Sequence, residues 1–475
     1  MDKLKVQIKM NGWNDMEETI KSNPLGTVPV KKLLGQFAIP SIIAMLVSAL
    51  YNIVDQFFIG NSVGDLGNAA TNIAFPLSIS CVAIALMFGI GGASAFNLTM
   101  GSGDKEKAPY FIGNSVVMLF GLGVILTIVT ELFLTPMLRF FGSPANVLEY
   151  AKTYTKITAI GFPFLILATG GGHLVRADGS PRFTMISNMT GAVINTILDA
   201  VFVFGLHWGM AGAAFATIIG QIVSCAMVFF YLRRYKTVKL ERKHFRIQGK
   251  CIAKIASLGA APFSNQVAMM VVQIVMNNSL KYYGSLSVYG ESIPIACVGI
   301  ISKVNMVFFS FIIGISQGLQ PIVSFNYGAG KYQRVREAYR TAVIAGFAIS
   351  ILAFAMFQIY PRAIISVFGD GSKEYFTFAI NYFRIFLFFT FLNFVQPITS
   401  NFFTAIGKPG RGIFLSLTRQ IIFLLPLIVI FPLIVGIDGI MYAGPVADFM
   451  AAVVGTVMVI REFRDDKYKL EVRKA

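Results

Sequence analysis

Hydrophobic residues run along this chain in long blocks rather than in alternation. Between Leu33 and Ile460 the blocks recur at near-regular intervals, each long enough for a roughly 20-residue crossing of a bilayer. They predict twelve helical spans, over 33–60, 72–99, 112–135, 157–175, 184–205, 210–232, 253–278, 294–327, 341–360, 380–404, 413–435 and 440–460. The polar stretches between them divide by charge. The N-terminal tail, "GSGDKEK", "RADGSPR", "RRYKTVKLERKHFRIQGK", "GAGKYQRVREAYR", "GKPGR" and the C-terminal tail hold about three quarters of all Lys and Arg. The alternate loops are nearly bare, and "GNSVGDLGNAAT" and "GLHWGMAG" have none. By the positive-inside rule, the basic loops and both termini face the cytoplasm.

Composition agrees with a polytopic membrane protein. Of 475 residues, 55% are hydrophobic and 13% charged, with mean hydropathy +0.68, too little charge to cover a soluble surface of this size. The net charge of +17 sits in the loops of one side, so it reports orientation and gives no reason to expect nucleic acid as a partner. The first thirty residues lack the apolar core of a cleavable signal, and the first span is expected to insert and stay. Cys81, Cys225, Cys251 and Cys297 show no CxxC pairing, and His173, His207 and His244 no ligand spacing; a metal centre or disulfide framework is not expected.

The two halves echo one another at an offset of about 222 to 230 residues. "FAIPS" answers "GAAPFS", "FGIGGASAFNLTMGSGDKEK" answers "IIGISQGLQPIVSFNYGAGKYQR", "RADGSP" answers "TAIGKP" and "GMAGAAFA" answers "GIMYAGPVA". Six spans per copy is an even number, so both copies enter from the same side as parallel repeats. The expected fold is all-α: two pseudo-symmetric six-helix bundles around a central cleft, suited to alternating access. The expected layout is a cytoplasmic tail 1–32, an N-lobe 33–232, a basic linker 233–252, a C-lobe 253–460 and a tail 461–475.

Acids are few within the spans: Asp55, Glu131, Asp199 and Asp448, with Glu291 and Asp438 in loops opposite the basic side. An ionised carboxylate in the hydrocarbon costs several kcal/mol, which makes each a functional candidate. Asp55 shares a helical stripe with Ser48, Tyr51 and Asn52; the fifth span carries Ser187, Asn188, Gly191, Asn195 and Asp199 at 3–4 spacing; the sixth adds Thr217, Gln221 and Ser224. Two acids converging in a partly dry pocket can share a proton, or a monovalent cation can sit among the oxygens of Asp55, Asn195, Asp199 and Thr217. Tyr51, Asn52, Ser48, Gln221 and Asn188 are candidates for the substrate cavity beside them. The repeat offset puts Asn277 where the first half has Asp55, and Leu427 near the place of Asp199. Coupling chemistry is therefore expected in the N-lobe. Lys303 stands as the one basic residue well inside a span, facing the cleft or snorkelling. The glycine-rich "GIGGASA" reads as close helix packing, since it lacks a phosphate loop's Gly-Lys-Ser/Thr ending.

The stretch "LGTVPVKKLLGQFAIPSIIAMLVSALYNIVDQFFIG", with the duplicated lobes, resembles the multidrug and toxic compound extrusion (MATE) family. It is similar to the bacterial branch containing the staphylococcal multidrug exporter. The resemblance implies a non-enzymatic antiporter of a bacterial plasma membrane. It would act as a monomer and export drug-like, often cationic and aromatic compounds in exchange for Na+ or H+, conferring antibiotic resistance. Asp55, fifteen residues after Pro40, matches the family's first-span coupling aspartate; Asn195 with Asp199, Thr217 and Tyr51 match its partners. Another branch carries acids in its seventh and tenth spans, and this chain lacks both. The alternative within the superfamily is a flippase for lipid-linked oligosaccharides; twelve spans and an acidic pocket argue against it.

Overall fold

A computed structural model describes residues 23–290, 292–367 and 372–468. Most of the expected N-terminal tail, Glu291 and the end of the C-terminal tail lie outside the described residues. All regular structure among the described residues is helical. Among the described residues, eleven helices and one bent helix pair, counted together as a span, are long and apolar enough to cross a membrane: α1 Val30–Gly60, α2 Leu66–Gly101, α3 Ala108–Leu132, α4 Ala145–Ile160 with Phe162–Ala177, α5 Pro181–Gly205, α6 Gly209–Arg233, α7 Gly249–Ser285, α8 Ile293–Gly328, α9 Tyr332–Ile359, α10 Lys373–Ala405, α11 Pro409–Val435 and α12 Asp438–Phe463. The fourth is longer than its apolar block suggests and bends by 54° at Gly161, where Pro163 opens the second segment and cannot extend the hydrogen-bond ladder of the first.

The duplication shows in irregular features as well as in helices. Short helices Leu134–Phe140 and Pro361–Ser366 precede α4 and α10. Both α4 and α10 are interrupted, and π-helical turns fall in α5, at Ala200–Gly205, and in α11, at Thr418–Leu424. Within the N-lobe α5 packs on α6 and α1; within the C-lobe α8 packs on α9 and α7 on α11.

The lobes meet along α1–α8, α2–α7 and α2–α8, in the half of the molecule that carries the basic loops. Backbone approach there is too close for any side chain. A Cβ on Gly91 would fall on the Ile255 carbonyl, one on Gly259 on that of Met87, one on Gly101 on that of Phe325 and one on Gly328 on that of Leu98. The small residues of "GIGGASA" thus serve close packing. Gln320 Nε2 crosses the seam to the Ile90 carbonyl (3.2 Å) and Ser94 Oγ (2.8 Å).

A strap adds to the closure. The short helix Pro24–Thr27 ahead of α1 lies on the C-lobe, where Leu25 is buried. Arg334 donates to the carbonyls of Leu25 (3.1 Å) and Val28 (2.7 Å), Asn326 Nδ2 to that of Leu25 (2.9 Å) and Lys331 Nζ to that of Gly26 (2.9 Å). The basic linker is held in turn by the N-lobe. Asn114 bonds the carbonyls of His244 and Arg246 and the N–H of Gln248. Asp178 accepts from the N–H groups of Lys236 (2.7 Å) and Thr237 (2.8 Å) and from the Tyr231 hydroxyl (2.9 Å).

Candidate functional site

The predicted polar stripes do converge. The helix of α1 continues past Gly60 to Val63, eight residues beyond Asp55; along α5, Gly205 lies six beyond Asp199; and Thr217 stands eight residues into α6. Each is therefore ~9–12 Å from the helix end opposite the basic loops. At that depth α1 and α5 pack together, as do α5 and α6. Asp55 and Asp199 lie within electrostatic reach of one another, and both act on the phenols of Tyr51 and Tyr154. Asn195 Nδ2 is 3.5 Å from Thr217 Oγ1, and Thr217 also stands beside the Tyr154 phenol.

Several oxygens of the pocket lack partners. Asp199 is fully buried and Asn195 nearly so, while Asp55 is half-buried. Oδ1 of Asp55, Oδ1 of Asn195 and both carboxylate oxygens of Asp199 are shielded from solvent without a hydrogen-bond partner. Buried polar atoms are normally satisfied, and each orphan costs about 1–3 kcal/mol. Four acceptors left open around two acids form a donor set for a proton or a hard monovalent cation. No His/Cys/Asp/Glu cluster suited to a transition metal occurs among the described residues.

The remaining candidates separate. Tyr51 belongs to the cluster. Asn52 is exposed, its amide donating to the Ser48 carbonyl at 2.7 Å. Gln221 is one turn along α6 from Thr217, with Oε1 against Gly161 at the α4 break. Asn188 lies eleven residues before Asp199 on α5, ~16 Å away along the axis, and is not part of the cluster. Glu131 stands in the last turn of α3.

Two residues escape the sequence reading. Tyr154 sits on "ANVLEYAKTYTKITAI", whose Glu149, Lys152 and Lys156 depress the hydropathy and move the predicted start of the fourth span to 157. Its buried row of Val147, Leu148, Ala151 and Thr155 is the signal that marks it as a packed helix. The second is Arg419, which corrects the view of Lys303 as the one basic residue well inside a span. Arg419 Nε lies 2.5 Å from Asp448 Oδ1, with both side chains largely buried. The C-lobe thus neutralises its acid with its own guanidinium. Asp448→Ala is expected to leave that cation uncompensated and destabilise the fold by about 3–5 kcal/mol, lowering the detergent melting temperature; the double change Arg419→Met/Asp448→Leu should recover most of the loss.

Two stretches, 40–201 and 264–430, match the family model MatE, together more than half of the chain. The chain belongs to the MatE family. The two matched stretches fall one in each half, in keeping with the duplication. Among relatives of this MatE chain, the multidrug export protein MepA of Staphylococcus haemolyticus is 24% identical over 429 residues, 90% of this chain and 93% of that one. MepA of Staphylococcus aureus strain N315 is 23% identical over 434 residues, 91% and 94%. Two solved structures share the fold with TM-score 0.86 and 22% identity, each covering 93% of this chain and 97% of the other. One is an outward-facing multidrug resistance MATE family transporter of the MOP superfamily. The other is a MOP superfamily transporter from Pyrococcus furiosus described as having a binding pocket of reverse polarity.

Proposed function

We propose that this chain is a secondary active exporter that exchanges organic, often cationic and aromatic compounds for an inward-moving Na+ or H+. The observation that carries the reading is the set of four unpaired buried oxygens on Asp55, Asn195 and Asp199, facing a C-lobe whose own acid is already paired with Arg419. A cation that enters the N-lobe pocket satisfies these oxygens and removes the repulsion between the carboxylates. The neutralised lobe then prefers a different packing against its partner, and that preference is the coupling free energy. Names borne by the relatives, multidrug export proteins, support export as the direction.

With the basic loops in the cytoplasm of a bacterial cell, the seam closes the cytoplasmic side and the pocket is reached from outside. This is the state that loads the coupling cation and releases the exported compound. One chain holds both lobes and the whole cleft, so a monomer suffices. The test is ethidium efflux from proteoliposomes under an imposed Na+ gradient and, separately, an imposed pH gradient. Efflux under one of them supports the reading and names the ion. Stillness under both, with movement of a labelled lipid-linked sugar, overturns it in favour of a flippase.

A further inference from the structure

Lys303 is an intramembrane charge to which the candidate coupling pocket gives no role. It lies eleven residues beyond Ser292, where its helix starts, ~16 Å along the axis from that end. It is half-buried and takes no hydrogen bond or salt bridge among the described residues. An ammonium held this way points to a partner that comes and goes.

Its direction follows from the α1–α8 register. These helices run antiparallel. A Cβ on Gly318 would meet Ala38 at 2.6 Å, one on Gly314 would meet Ile42 at 2.5 Å, and Ser310 Oγ lies 3.5 Å from the Met45 carbonyl. Lys303 is seven residues, two helical turns, before Ser310, on the same row of α8. On α1 the row Ala38, Ile42, Met45 continues to Asn52 two turns on. The register therefore brings Lys303 level with Asn52, whose side chain is exposed. Asn52 is three residues, one turn, from Asp55.

We infer that Lys303 is a specificity-determining residue of the cleft: it receives the anionic group of a zwitterionic aromatic compound whose ammonium lies toward Asp55, and it disfavours compounds that carry only positive charge. The inference rests on the proposed export function. The cleft then has two poles, the half-buried Asp55 carboxylate toward the N-lobe and an unpaired ammonium on the C-lobe wall. A molecule with both charges satisfies both, whereas a simple cation meets attraction on one side and repulsion on the other.

The experiment uses full-length protein in proteoliposomes under the gradient that drives it. Three probes are compared: ethidium, a piperazinyl quinolone bearing one ammonium and one carboxylate, and the methyl ester of that quinolone, which keeps only the ammonium. For Lys303→Met, kcat/KM for the zwitterion is expected to fall about tenfold or more, with the ester and ethidium unchanged or improved; Lys303→Arg should retain the zwitterion. A parallel fall for all three probes, no change for any, or a wild-type protein that exports ethidium but not the zwitterion would each overturn the inference. Failure of wild-type ethidium efflux under either gradient is a different result, and it removes the exporter reading itself.

Discussion

Asp55→Asn and Asp199→Asn are each expected to abolish gradient-driven efflux, reducing it to the passive leak, while leaving the protein at least as stable as before. The amide keeps the size of the carboxylate but takes up no proton and carries no negative charge to hold Na+, so the pocket no longer distinguishes loaded from empty. The stability half of the result comes from the same orphaned atoms. Asp199 has no partner for either oxygen in a fully buried position, and an amide is cheaper to hold there than a carboxylate. Function held at the expense of stability is the pattern of a working site. Efflux in proteoliposomes and melting in detergent measure the two halves. If either variant transported like wild type, the N-lobe pocket would not be the coupling site. If both lost transport because they failed to fold, the carboxylates would be structural. Asp199→Asn should show the larger gain in melting temperature, because Asp55 is only half-buried and has one orphaned oxygen where Asp199 has two.

Much of this pocket is legible in the sequence alone. Asp55, Asn195, Asp199 and Thr217 announce themselves because polar residues at 3–4 spacing in an apolar block are costly to keep in lipid and mark a candidate site. The twelve blocks and the duplication are equally local signals. What periodicity does not carry is pairing across helices. Asp448 and Arg419 are separated by 29 residues, and the π-helical turn Thr418–Leu424 rotates the row on which Arg419 stands, so a simple 3.6-residue wheel misplaces it. Tyr154 is hidden by a different effect: its helix turns charged residues outward beside Glu149 and Lys152, which pair at 2.8 Å, and an average over the window conceals the buried row. The strap on Asn326 and Arg334 is hidden too, since it joins residues more than 300 apart in sequence.

Gly259→Leu is expected to move the protein out of the conformation described here and to stop turnover without unfolding either lobe. The added Cβ falls on the Met87 carbonyl. That atom is backbone within α2, so no rotamer change relieves the contact, and only separation of the lobes does. Gly91 stands in the reciprocal position against Ile255, which makes the seam a two-way interlock rather than a single tight spot. Because these contacts join different lobes, the clash acts on the closed seam and spares the packing inside each bundle. The reporter is Ser94→Cys in a Cys251→Ser background. Ser94 is fully buried and accepts from Gln320 across the seam, so the thiol should resist a hydrophilic maleimide in the parent. Adding Gly259→Leu should expose it to reagent applied from the basic-loop side, with ethidium efflux lost. A thiol that stays protected in a folded, transporting Gly259→Leu variant would show that this seam does not open during transport, and that the lobes do not rock about the cleft in the way alternating access requires.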